Sequence, residues 1–153
     1  MKILVPVDGS EPALEAVRHV LSLLGNGLKA SLLLATVQEP VYLYERVLAP
    51  DADVLERVTG AVGRQALAAA EALCTAAGVA YAHEIVSGDA ARALLDLAGT
   101  SGCDAIVMGA RGLGAVKGAL LGSVSQRVLQ EANVPVTVVR QRPIATVPAV
   151  PAA

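Results

Sequence analysis

Phenylalanine and tryptophan are absent from this 153-residue chain, and its aromatic residues stop at Tyr42, Tyr44 and Tyr81. The core must therefore be aliphatic, and platforms on which bases of a single strand could stack are few. Positive charge is also scarce. Twelve Lys and Arg against 14 Asp and Glu leave a net charge of −2 and no basic stripe, which argues against a nucleic-acid partner. Cysteine appears twice, at Cys74 and Cys103, with neither a metal spacing nor a disulfide framework. Both sit in apolar pattern, so buried reduced thiols are expected. Hydrophobic residues make up 54% of the chain, yet no uncharged apolar run reaches the roughly 18 residues a membrane span needs. Met1–Val7 is too short for a signal sequence and enters a strand pattern at once. A soluble cytoplasmic protein is the expectation. Two familiar phosphate loops are missing as well. No Gly-Lys-Ser/Thr triplet occurs, which removes a Walker loop, and Asp8-Gly9-Ser10-Glu11 after the first strand is not a dinucleotide fingerprint.

What is present alternates. Lys2–Val7 is a short apolar run of the kind that forms a strand buried on both faces. Ser10 suits an N-cap and Pro12 a first helical turn, before apolar residues recur at helical spacing up to Gly25-Asn26-Gly27. Residues 30–37 predict a second strand and 38–50 a loop holding Tyr42 and Tyr44. A long Ala- and Leu-rich helix starts at Asp51 or Asp53 and ends near Gly78. Strand 79–86, a helix to about Ser101, strand 104–108, helix 123–132 and strand 134–139 follow. Ser123-x-x-Gln126 has the form of a capping box. From Arg142 onward the prolines carry no packing pattern, so 1–140 is expected as one domain and 141–153 as a flexible tail.

Such alternation implies an α/β three-layer sandwich with a parallel sheet. For five strands the flavodoxin-like winding, in order 3-2-1-4-5, sets strands one and four side by side at the switch point, where ligands bind. The two strand ends there are Val7-Asp8-Gly9 and Met108-Gly109, about 100 residues apart in sequence.

Residues 103–125 carry the chemistry. A buried-strand pattern ends at Gly109, Gly112 follows three residues on, and nine residues later Gly122-Ser123 opens a helical pattern. Glycine lets a ligand approach main chain without a Cβ in the way. A helix start supplies unpaired N–H groups and partial positive charge. Strand, glycine loop and helix start together form an anion cradle, most often for phosphate.

The frame Gly109-x-x-Gly112, nine residues, Gly122-Ser123 resembles the nucleotide signature of the ATP-binding branch of the universal stress protein family. Ile3–Ser10, Cys103–Gly109 and Asn133–Val139 resemble the family's first, fourth and last strands, so the likeness covers about residues 1–140. It implies the adenine nucleotide alpha hydrolase-like fold and an ATP ligand, with Mg²⁺, ADP or AMP as further possibilities. By that resemblance Asp8 bonds ribose hydroxyls or holds a metal-bound water; the residue also suits a turn-forming Asp. Pro6 and Val37 flank the adenine, with Val7 and Met108 beside them at the strand ends. Gly109 and Gly112 admit ribose and phosphate to the main chain. Gly122, Ser123, Val124 and Ser125 offer helix-start donors to the phosphates. Arg111 and Lys117 flank the loop as phosphate partners or as solvated charges, and the Tyr42/Tyr44 loop is a lid or merely a loop.

No nucleophile–base pair stands out in the sequence. The resemblance implies a nucleotide-binding stress or signalling module, with slow ATP hydrolysis as the most chemistry expected. A dimeric scaffold or chaperone-like protein with a vestigial site is the alternative. The resemblance also implies a homodimer through antiparallel pairing of strand 134–139, which would cover an apolar sheet edge.

Overall fold

The computed structural model describes residues 1–39, 52–112 and 120–141. Its five strands are β1 (Lys2–Pro6), β2 (Ser31–Gln38), β3 (Tyr81–Ser87), β4 (Ala105–Gly109) and β5 (Val136–Val139). Four helices alternate with them among the described residues: α1 (Glu11–Gly25), α2 (Ala52–Ala76), α3 (Ala90–Thr100) and α4 (Ser123–Glu131). The sheet is parallel throughout, in the order β3-β2-β1-β4-β5.

Period-two alternation in the strands divides the core in two. Ile3, Val5, Leu32 and Leu34 face one way and are covered by Ala16, Val17 and Val20 of α1 and by Leu67, Ala70 and Cys74 of α2. Leu4, Leu33, Ala35, Ile106 and Met108 face the other way, under Ala91, Leu94 and Ala98 of α3 and Val128 of α4. This is the sandwich that alternation in the sequence implies. Both cysteines are buried, as the apolar surroundings suggested.

Local signals set most boundaries. Ser10 caps α1 by accepting from the Ala13 N–H at 3.4 Å, and Asp89 caps α3 by accepting from the Arg92 N–H at 3.1 Å. Two expectations are corrected. The strand placed at 134–139 begins at Val136. Pro135 has no N–H to give a ladder; its carbonyl instead accepts from Ile106 N–H at 2.9 Å, ahead of the strand proper. The capping box at Ser123 does not form, because the N-cap is Gly122 and Ser123 is already helical. With its start one residue earlier, α4 has no side-chain cap. The expected tail from Arg142 and the loop with Tyr42 and Tyr44 lie outside the described residues.

Candidate functional site

The loops after β1 and β4 leave the sheet side by side, and α4 begins above them. At that end, on the face covered by α3 and α4, lies a cavity of about 440 Å³. Alternation selects its floor. Ala35, Val37 and Glu39 project to the same face from β2 and the residue beyond it, as Pro6 and Asp8 do from β1. Met108, Gly109, Arg111 and Gly112 line it from β4 and its loop, and Gly122, Ser123, Val124 and Ser125 from the start of α4. Val7 completes the wall at the β1 end. Twelve of the residues singled out from the sequence line this one cavity. Lys117 falls outside the described residues.

The cavity has two unlike ends. At the β2 end Pro6, Ala35, Val37, Ala90 and Leu94 form an apolar slot. The main chain there is also open. Val7 N–H bonds the Ala35 carbonyl at 2.7 Å, so the residue two further along, Val37, turns its main-chain groups to the same side. β1 has ended by then, and no β1 strand residue stands opposite Val37. At the other end α4 points its first turn into the cavity. The N–H groups of Ser123, Val124 and Ser125 have no acceptor within the helix, and the helix dipole adds partial positive charge.

Two donors expected at that end are already committed. The Gly122 N–H bonds the Ala110 carbonyl at 2.7 Å. The Ser125 hydroxyl lies within hydrogen-bond reach of the same carbonyl, at 2.7 Å, and of the Gly122 carbonyl, at 3.0 Å. These bonds tie the β4 loop to α4 and set the helix start beside Ala110 and Arg111. The donors left open at this helix start are thus the amides of residues 123–125, with the Ser123 hydroxyl beside them, rather than Gly122 N–H.

The glycines divide by cause. A Cβ on Gly109 would stand 2.7 Å from the Pro12 carbonyl oxygen and 3.1 Å from Ala13 N, so β4 needs glycine there to pass under α1. A Cβ on Gly112 would overlap Asp8 Oδ2. A Cβ on Gly122 would meet nothing closer than 3.6 Å, and φ of −76° at that position suits any residue. The protein's own packing explains the first two and leaves the third free. Asp8 closes the turn after β1 by accepting from Ser10 N–H at 2.9 Å through Oδ1, while Oδ2 stays against Gly112. The turn-forming role is therefore present, and it fixes the carboxylate at the cavity wall.

A family model described as "Universal stress protein family" matches residues 1–140. The chain belongs to the universal stress protein family. Universal stress protein YxiE of Bacillus subtilis is 31% identical over 149 residues, covering 91% of this chain and 98% of its own. Among solved structures, universal stress protein UspA from Lactobacillus plantarum is 26% identical with a TM-score of 0.72, covering 92% and 97% of the two chains. A universal stress protein solved in complex with cAMP is 27% identical with a TM-score of 0.63, covering 91% and 95%.

Six lining residues were missed by sequence reasoning: Ala13, Ala35, Glu39, Ala90, Leu94 and Leu121. Ala90 and Leu94 come from α3, and Glu39 follows β2. Glu39 was within reach, since it continues the alternation of Ala35 and Val37 by one more step. Ala90 and Leu94 were not, because the periodicity of α3 gives its apolar face but not the sheet face on which it lands. A second cavity, of about 450 Å³, adjoins the first and shares Glu39, Ala90, Ser123 and Val124 with it. Its far side carries Asp89 and Arg127, paired at 2.8 Å. The Arg92 N–H at the helix start, and then Arg127, hold the Asp89 carboxyl below the usual carboxylate range. Asp89 in turn raises the Arg127 guanidinium.

Proposed function

We propose that this universal stress protein binds an adenine nucleotide, ATP above all, as the ligand-sensing half of a stress or signalling module. The observation that carries the reading is the two-ended cavity. An apolar slot with open main chain lies at β2, and a helix start with free amides lies at α4. Neighbouring strands are about 4.8 Å apart, so β2 and β4 are separated by about 10 Å, the reach of a nucleoside monophosphate from base to phosphate. The base occupies the slot between Pro6 and Val37, where the turned-out main chain of Val37 meets its edge. The ribose lies across β1 beside Asp8. The phosphates face the first turn of α4, with Arg111 at the rim. The solved relative that holds cAMP supports a ligand of this class.

Mg²⁺ fits such a site only through few protein ligands. It commonly takes one or two carboxylates together with the phosphates, and Asp8 is the carboxylate at the phosphate end. There the ion would neutralise phosphate charge. The chain's own part is to hold Asp8 in its turn, through Ser10 N–H, and to present the amides of residues 123–125. Nothing in this reading requires turnover; the bound state is the signal.

Calorimetry with ATP, AMP and cAMP, with and without Mg²⁺, tests the proposal. Binding at micromolar to low millimolar concentration is expected. Absence of binding at millimolar ATP with Mg²⁺ rejects it. The double change Gly122→Val with Ser123→Glu should abolish binding with the fold retained, since the new side chains enter the cradle and not the core.

We further propose a homodimer formed through β5. That strand is an edge of the sheet, and its apolar residues would be covered by an antiparallel partner about a two-fold axis. Light scattering after size exclusion at micromolar concentration should give twice the chain mass; a monomer mass contradicts it.

A further inference from the structure

We infer that the outer face of α2 is an interaction surface for a second copy of this chain, the two helices packing antiparallel about a two-fold axis near Gly63. This face lies on the side of the sheet away from the cavity, over β3 rather than β5, so the pairing needs neither the nucleotide nor the β5 contact.

α2 buries Gly63, Leu67, Ala70 and Cys74 towards the sheet. A surface helix normally turns charged and polar residues the other way. Here the opposite face carries Val54, Val58, Ala61, Gln65, Ala68 and Ala72, all exposed and none charged. Val54 and Val58 are 43% and 57% exposed, and Val62 at their side is 52% exposed. The six recur at alternating steps of four and three, the seam spacing of a helix that packs along another helix. From Val54 to Ala72 the seam runs for about 27 Å.

Size and charge both match this face to itself. In an antiparallel pair centred near Gly63, Val54 meets the partner's Ala72, Val58 the partner's Ala68 and Ala61 the partner's Gln65. Each valine is thus set against an alanine. Parallel helices would instead set valine on valine and leave alanine facing alanine across a gap. On one flank Arg57 comes opposite the partner's Glu71, twice by symmetry, and flanking charge pairs of this kind set partner and orientation. Glu71 is held on that flank by its pair with His83 of its own chain. Arg64, also on that flank, lies back over Gly60, with Nη1 3.2 Å from where a Cβ there would stand, which takes its charge away from the axis. On the other flank Val62 meets its own copy at the axis. Gln65 is the single polar side chain of the seam, and such a residue fixes register.

Oxidative cross-linking of the full chain reads this register, and it is done at high protein concentration because one helix pair is a small contact. The native thiols are buried and give little background. Val62→Cys sets two thiols at the axis and should yield a disulfide-linked dimer. Ala72→Cys is also exposed, but its thiol stands about 27 Å along the axis from its own copy and should stay at the wild-type level. Adding Ala68→Glu to Val62→Cys drives a carboxylate against the partner's Val58 and should abolish the link. Adding Arg57→Glu should reduce it, and Arg57→Glu together with Glu71→Arg should restore it. Equal linkage of Val62→Cys and Ala72→Cys, or a link that survives Ala68→Glu, overturns the inference. A thiol at position 62 that labels freely with a maleimide and never links overturns it too. So does one that neither links nor labels, since another part of the same chain would then cover the face. Positions 57, 62, 68 and 72 are exposed, so circular dichroism should show the fold retained.

Discussion

Replacing Gly109 and Gly122 separately by alanine should give opposite results, although both belong to one motif. At Gly109 the added methyl would stand 2.7 Å from the Pro12 carbonyl oxygen, 2.8 Å from its carbonyl carbon and 3.1 Å from Ala13 N. All three are main-chain atoms at the start of α1, and no rotamer change moves them aside. Overpacking of a well-filled site costs about 1–3 kcal/mol, and rigid neighbours favour the upper half of that range. Alanine also restricts the unfolded chain, which returns about 0.4–1 kcal/mol. A net loss of about 1–2.6 kcal/mol remains. For a chain of this size that is a fall in Tm of roughly 2–10 °C. At Gly122 the nearest atom to the new methyl lies 3.6 Å away and φ is −76°. The weaker capping by alanine, of up to about 1 kcal/mol, is offset by the same unfolded-state gain. Gly122→Ala should thus unfold within about 0.5 kcal/mol of wild type while weakening nucleotide binding. Urea unfolding followed by circular dichroism, with calorimetry alongside, measures both. Equal stability of the two variants would refute the packing argument. Full nucleotide affinity in Gly122→Ala would refute the claim that this glycine makes room for a ligand.

Three further outcomes are expected. Ser125→Ala removes a buried hydroxyl, yet the Ala110 carbonyl keeps its bond from Gly122 N–H; urea unfolding should show a loss of only about 1 kcal/mol, and a loss above about 3 would mean that the carbonyl had been orphaned. Asp89 has its folded pKa lowered, first by the Arg92 N–H, so its ionised form contributes stability that is fully present above the ordinary Asp value of about 3.9 and is lost as pH falls through the lower folded value. The gap in Tm between wild type and Asp89→Asn should therefore be constant near neutrality and narrow in acid, and a gap that widens in acid contradicts this assignment. Burial raises the thiol pKa of both Cys74 and Cys103 above normal, so a disulfide reagent at pH 8 should find no reactive thiol in the native protein and two after denaturation; rapid reaction of the folded protein would show that one of them is accessible.

The order of elements was legible because each signal was local. Ser10 with Pro12, Gly25-Asn26-Gly27 and Ser87-Gly88-Asp89 mark element ends through hydrogen bonds made within a few residues. The strand order followed from winding rules that depend on chain handedness rather than on sequence detail. Misplaced boundaries lie where a distant partner decides. Pro135 sits in an apolar alternating run, and only pairing with Ile106 shows that its carbonyl acts alone before the strand begins. Ser123 followed by Gln126 has capping-box spacing, but the Ala110 carbonyl holds Gly122 N–H and thereby starts the helix at Ser123.

The site shows the same division more sharply. Spacing in the Gly109–Ser123 frame picked out residues that line one cavity because strand end, loop and helix start are close in the chain. What spacing could not reveal is which glycine answers to what. Gly109 is held by α1, nearly 100 residues earlier in sequence, and Gly112 by Asp8 from β1. Both are contacts between segments that meet only in the folded sheet. A pattern that resembles a nucleotide signature is thus, at two of its three glycines, a record of how closely main chain and side chain must pass at the switch point. It follows that a relative could keep Gly109 and Gly112 for packing after losing its ligand. Gly122, which no contact in the described structure demands, is the position whose substitution separates a working cradle from a vestigial one.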